Sequence, residues 1–233
     1  MKRVFIGYDP AETVAFHTLS HSILRHASVP VSITPLVLSQ LPMTRERDPR
    51  QSTEFSFSRF LVPWLCGFKG EAIFIDCDML VRADIAELRC EKGKSVSVVK
   101  HDYTPSTEGK FLGNTQTRYA KKNWSSVMVF DCGGCATLTP EYVNTASGLE
   151  LHQFKWLGGE YLIGSLDPAW NCLIGEENQC PIEDAKILHF SLGTPCFRAY
   201  SRCPGADEWF AEKNMMLYHN PAGEFSLPQR DEP

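Results

Sequence analysis

The chain has 233 residues, 43% of them hydrophobic, and a formal net charge of −5. That length fits one domain, or one domain with an appendage. The acidic balance argues against a general nucleic-acid binder, which would show a basic face. No apolar stretch approaches the ~20 residues of a membrane span, so no transmembrane segment is expected.

Nine cysteines form an odd set in a long chain. Met1-Lys2-Arg3 leads straight into Val4-Phe5-Ile6, which reads as a strand rather than a secretory leader. Free thiols in a reducing cytoplasm are the expectation, with peripheral membrane contact left open.

Val4 to Gly7 reads as the first strand. Asp9-Pro10-Ala11-Glu12 has the form of a helix start, with Asp9 at the cap, and the helix is expected to run to about Arg25. Val31 to Leu38 reads as a second strand, and the strand–helix–strand order predicts a βαβ unit and a parallel sheet. Residues 39 to 52, with Pro42, Pro49, Arg45, Arg47 and Arg50, read as an exposed loop whose charges are more simply solvated than functional. A helix is expected from Thr53 to Leu65, bent at Pro63.

Ala72-Ile73-Phe74-Ile75 then runs directly into Asp76-Cys77-Asp78. Four apolar residues read as a buried strand, and ligands of open α/β sheets bind at strand carboxyl ends. Two carboxylates buried there repel unless a cation joins them, and hard oxygen donors suit Mg²⁺ or Mn²⁺. Side chains at i and i+2 of a strand share a face, so one ion could touch both. A divalent-metal site facing a phosphate-bearing substrate is the reading; two carboxylates capping a turn are the plainer one.

Val96 to Val99 and Ser126 to Phe130 read as further strands around a polar insert at 102–122, and Ile187 to Phe190 as a late strand. A helix is expected at Ala206 to Leu217, followed by a polar tail. Residues 1–205 are taken as one catalytic domain and 206–233 as a C-terminal helix and tail. Cys132-Gly133-Gly134-Cys135 lacks a second ligand pair at suitable spacing, so a glycine turn is preferred to a zinc site.

An ordered set of pieces surrounds the acidic triplet. Ser58-Arg59-Phe60 and Pro63 precede it; Asn123-Trp124-Ser125-Ser126, a strand ending Val129-Phe130-Asp131, Trp170-Asn171 and Leu188-His189-Phe190 follow, with Gly193 and Pro195 after them. Over roughly residues 3 to 200 this resembles glycosyltransferase family 8 and its relatives, the group of glycogenin and the lipopolysaccharide galactosyltransferases. The resemblance implies an α/β GT-A fold with a mixed, mostly parallel sheet. It also implies metal-dependent, retaining transfer of a sugar from a nucleotide diphosphate, usually UDP, to a saccharide, lipid-linked or protein acceptor.

The resemblance places residues as well. Asp76, Asp78 and His189 would hold the metal, and an imidazole tilts the choice toward Mn²⁺. Tyr8 and Asp9 would hold the base and ribose, although Asp9 is equally a helix cap. Arg59 would brace the carboxylates and reach the donor, with Cys77 beside it in the donor site. Asn123, Trp124 and Ser125 would line the sugar pocket. Glu160, after Gly158-Gly159, would lie under the reacting sugar as stabiliser or nucleophile, or would be an ordinary surface residue. One departure stands out: a lysine contacting the diphosphate is expected where this chain has Thr194 before Pro195. Two rival readings are a haloacid dehalogenase-type phosphohydrolase, which also runs a strand into DxD, and a non-catalytic nucleotide-sugar-binding protein.

Overall fold

The computed structural model describes residues 1–47, 51, 53–102, 120–176 and 180–218. Arg50, most of the 102–122 insert and the tail beyond 218 lie outside these.

β1 (Lys2–Gly7), β2 (Val31–Leu36), β3 (Glu71–Ile75), β5 (Val96–Val98), β6 (Val127–Asp131) and β7 (Ile163–Ser165) form one sheet in the order β2-β1-β3-β6-β5-β7. β1 pairs in parallel with both β2 and β3, and β5 with β7, while β6 runs antiparallel to both its neighbours. The sheet is therefore mixed and mostly parallel. Its central strands are buried from Ala72 to Ile75 and from Val127 to Phe130, as the apolar runs require when both faces are covered. A second, three-stranded sheet joins β4 (Met79–Val81), β9 (Ile187–His189) and β8 (Cys172–Leu173).

Asp9 opens the first helical stretch as expected. Its Oδ1 accepts from Ala11 N at 2.9 Å, and Pro10 occupies the first turn of a one-turn 3-10 helix, Pro10–Glu12. α1 (Thr13–His26) follows and buries Ala15, Phe16, Leu19, Ser22 and Ile23 along one face. Each fully buried Leu or Ile there is worth roughly 1.5–3 kcal/mol. α1 lies on β4, where Ser22 Oγ accepts from Val81 N at 3.1 Å. α5 (Ala206–Tyr218) packs on α1 in turn; its Glu212 meets His21 Nδ1 and Arg25 Nη2, each at 2.6 Å, and Trp209 is fully buried.

The expected helix from Thr53 to Leu65 is different in the structure. Residues 53–57 form turns, Ser58–Leu61 a 3-10 helix, and only Val62–Leu65 (α2) is α-helical. The hydroxyls of Thr53 and Ser56 bond each other at 3.1 Å, and Ser56 Oγ donates to Thr53 O at 2.8 Å, which competes with helix formation. Pro63 then sits in the first turn of α2, where its missing N–H costs nothing. Gly7 ends β1 under the ring of Phe55; a Cβ there would lie 2.3 Å from it.

Two short helices that the sequence reading left out, α3 (Pro140–Thr145) and α4 (Gly148–His152), follow β6. α4 opens with a capping box between Ser147 and Glu150.

Candidate functional site

Asp76 and Asp78 do not lie within a strand. β3 ends at Ile75 and β4 begins at Met79, so the triplet is the link on which the chain leaves one sheet for the other. The same-face argument for a strand is thus not what gathers the two carboxylates. The register of the small sheet does it instead: β4 pairs antiparallel with β9, Met79 opposite His189, and Phe190 N donates to Asp78 O at 2.9 Å. Carboxylate oxygens of Asp76 and Asp78 and a ring nitrogen of His189 all lie within 4.8 Å of one another. All three residues are buried, and His189 Nε2 stands 3.4 Å from Asp78 Oδ1.

Arg59 is buried beside them. Its Nη1 pairs with Asp76 Oδ1 at 2.8 Å and donates to Ser125 O at 2.8 Å, and its guanidinium lies over the rings of Phe74 and Phe55. It braces Asp76 from the 3-10 segment and ties it to the 123–126 turn. That turn places Asn123 in a left-handed conformation, at φ 61°. Trp124 Nε1 donates to His101 O at 2.8 Å, and Ser125 Oγ lies 2.8 Å from His152 Nδ1. Burial first, then the charges of Arg59, Lys122 and Arg45, hold the His152 imidazole well below its usual range, so it is neutral.

Asn171, from the Trp170-Asn171 pair of the ordered set, bonds the histidine. It is fully buried; its Oδ1 lies 2.8 Å from His189 Nδ1 and its Nδ2 donates to Asn123 O at 3.2 Å. With the amide so fixed, Nδ1 carries a hydrogen and Nε2 is the ring nitrogen turned toward the carboxylates.

Tyr8 and Asp9 flank the end of β1. Tyr8 Oη bonds Thr13 Oγ1 at 3.1 Å and its ring meets Phe16 edge-on, and Asp9 Oδ2 accepts from Glu54 N at 3.1 Å. Both side chains therefore shape the loop after β1. Cys77 is fully buried, and burial raises its thiol far above the ordinary range, so its side chain is not exposed to a donor. Glu160 starts a 3-10 turn, Glu160–Leu162; its side chain is 82% exposed and pairs with Lys121 Nζ at 2.6 Å. The pair lines a surface cleft of about 210 Å³ together with Gln153, Phe154 and Lys155.

The sequence marks Glu12 only as part of the helix start, and gives His101 no role. Glu12, 0% exposed, accepts from Thr194 Oγ1 at 3.2 Å, and Cys77 Sγ lies 3.8 Å from its Oε2. Burial, then Asp78, Asp9 and Asp76, raise its carboxyl well above the usual range. Thr194 is itself fully buried, so the position where a lysine was expected faces inward. His101 is buried near His189; burial first, then the charge of His189, pushes its imidazole down to about 3. A lone acid in a helix's first turn and a lone histidine after a strand carry no sequence signal of their own.

Other charged and sulfur groups are used structurally. Arg45 lies over the Phe57 ring and donates to Val143 O and Ala146 O, and Arg47 pairs with Glu54. Cys132–Cys135 is a 3-10 turn whose Cys135 thiol bonds the carbonyls of Ser95 and Asp131. The nine cysteines are all free thiols.

Together, the mixed sheet and the acidic–imidazole cluster at the carboxyl end of its central strand β3 mark an α/β fold of the GT-A glycosyltransferase type. The chain superposes on the bifunctional glycosyltransferase WbbM with a TM-score of 0.65 at 14% identity, covering 91% of this chain and 49% of that one. Against the glycosyltransferase GlyE of Streptococcus pneumoniae TIGR4 the TM-score is 0.56 at 16% identity, over 91% of this chain and 60% of GlyE. Against the galactosyltransferase LgtC, solved with donor and acceptor sugar analogs, it is 0.54 at 10% identity, over 97% and 98% of the two chains. The chain thus spans about half the length of WbbM. No protein-family model matches the sequence. The chain belongs to the family of Protein CDI of Arabidopsis thaliana, to which it is 44% identical over 221 residues, 90% of this chain and 85% of that protein. The GT-A fold sets aside the haloacid dehalogenase alternative. Among the described residues no helix is long and apolar enough to cross a membrane.

Proposed function

We propose that this protein is a divalent-metal-dependent glycosyltransferase that takes a sugar from a nucleoside diphosphate, with UDP the expected nucleotide, and transfers it with retention in the manner of family 8. The observation that carries the reading is the convergence of Asp76, Asp78 and His189 where the chain passes between the two sheets. Two buried carboxylates with an imidazole suit Mn²⁺ better than Mg²⁺. A bound cation supplies positive charge that offsets the negative charge building on the leaving diphosphate.

The chain's own residues do the rest. Arg59 holds Asp76, and Asn171 holds His189 in the tautomer that presents Nε2. Tyr8 and Asp9 at the end of β1 form one wall for the nucleotide, and Asn123, Trp124 and Ser125 a second wall for the sugar. The exposure of Glu160 beside Lys121 supports a role in the cleft on the acceptor side, reached from solvent, rather than in the buried cluster. We take residues 1–205 as the catalytic unit, buttressed by α5 through Glu212 and Trp209.

The test is thermal. UDP is expected to raise the melting temperature only when Mn²⁺ is present, and Asp78→Ala to abolish that rise. UDP binding of equal strength in a chelator refutes the metal assignment. A panel of nucleotide sugars assayed for released nucleotide separates a transferase from a binding protein without turnover.

A further inference from the structure

We infer that Glu12 is a positioning residue of this site: its buried carboxyl joins the turn after β1, the Asp76–Asp78 link and the 191–196 segment, and so sets the spacing at which the two aspartates meet a cation. The inference rests on the metal reading above and adds to it a residue that neither the sequence motifs nor the family resemblance singled out.

Glu12 closes the one-turn helix Pro10–Glu12 and is 0% exposed. A mere filler of that space would be apolar, because an unbonded buried carboxyl is costly. Here both oxygens are used. Oε1 accepts from Thr194 Oγ1 at 3.2 Å, and Oε2 receives the Cys77 thiol at 3.8 Å. Cys77 is the residue between the two aspartates. Thr194 lies on the segment that follows His189 and Phe190, and Phe190 N is bonded to Asp78 O at 2.9 Å. Glu12 therefore reaches the acidic pair from both sides of the β4–β9 junction.

Thr194 is fully buried, and its hydroxyl also lies 2.9 Å from Cys196 Sγ. The threonine in place of the expected lysine is thus one half of a buried pair whose other half is Glu12. Burial chiefly, and secondarily the charges of Asp78, Asp9 and Asp76, raise this carboxyl well above its usual range.

The experiment uses the full chain with two probes: Mn²⁺ alone, followed by the loss of the free-ion electron paramagnetic resonance signal, and UDP with Mn²⁺, followed by calorimetry. Glu12→Ala, checked for folding by circular dichroism, is expected to weaken Mn²⁺ binding by at least about tenfold, the usual scale for a group that orients metal ligands. Glu12→Gln keeps the length and an acceptor for Thr194, and is expected to restore most of the loss. Thr194→Val is expected to weaken binding in the same direction, with Thr194→Ser recovering it; this pair carries the test if Glu12→Ala does not fold. Folded Glu12→Ala or Thr194→Val protein that binds Mn²⁺ as wild type does overturns the inference alone. Wild-type protein that binds neither probe overturns the metal reading and the inference with it.

Discussion

Asn171 Oδ1 lies 2.8 Å from Nδ1 of His189, while its amide nitrogen bonds the carbonyl of Asn123. One fully buried amide thus sets the tautomer of the histidine and locks the strained Asn123 turn to it.

Asn171→Ala should therefore do two things. Cation affinity should fall about 10- to 100-fold, because His189 loses the group that orients it. Stability should fall by about 1–3 kcal/mol, because Nδ1 of the buried His189 loses its acceptor, while the Asn123 carbonyl keeps the bond from Ser126 N. Titration with Mn²⁺ and urea unfolding measure the two effects separately; a stability loss without an affinity loss would make Asn171 purely structural.

Arg59 carries the opposite kind of load. Arg59→Ala takes from the buried Asp76 its guanidinium partner, a change that costs up to about 3–5 kcal/mol when one partner of a buried pair is deleted. Added Mn²⁺ should recover part of that loss in the variant, since a cation replaces the missing positive charge. Unfolding curves with and without the ion check this, and equal curves would place the metal elsewhere.

How much of this was readable beforehand varies by residue. The run Ala72–Ile75 into two acids was legible because four apolar residues in a row leave a pattern, whereas His189, after only Ile187 and Leu188, stood out through the family order alone. The βαβ start was legible through Asp9 and Pro10. β4 and β8 were not, since two or three apolar residues carry no period, and the small sheet that brings His189 to Asp78 was missed with them. The 53–65 segment misled because Phe55, Phe57, Phe60 and Leu61 look like a helical face while all of them are buried around turns. Asn171 is legible only as a member of the ordered set, because its bond to His189, 18 positions on, exists only in the fold.

His101 gives a pH prediction. Its folded imidazole titrates near 3, whereas an unfolded one titrates near 6.5. Below about pH 6.5 the unfolded chain takes up a proton that the folded chain refuses, so this residue's contribution to stability is full above that pH and is lost as pH falls toward 3. The slope is up to about 1.4 kcal/mol per pH unit. His152, also held neutral by burial, acts with the same sign. His101→Gln should flatten the decline by about one proton's worth, measured as urea stability between about pH 7 and pH 5. Parallel wild-type and variant profiles would contradict it.

Gly7→Ala should show how closely β1 and the 53–57 turns fit. The new Cβ would meet the Phe55 ring at 2.3 Å, so the ring and its segment must move, at a cost of about 1–3 kcal/mol. The displacement reaches Asp9 through its bond to Glu54 N, so nucleotide affinity should fall too. Phe55→Leu in the same chain should relieve part of both effects; strict additivity of the two substitutions would argue that they do not touch.

The gathering of Asp76, Asp78 and His189 depends on the pairing of β4 with β9, strands far apart in the chain that can find each other only after the intervening polypeptide has been organised. No early folding fragment holds all three side chains together. Cation capture during refolding should therefore lag behind the appearance of the large sheet, which makes the ion a timekeeper for the last long-range contact to close.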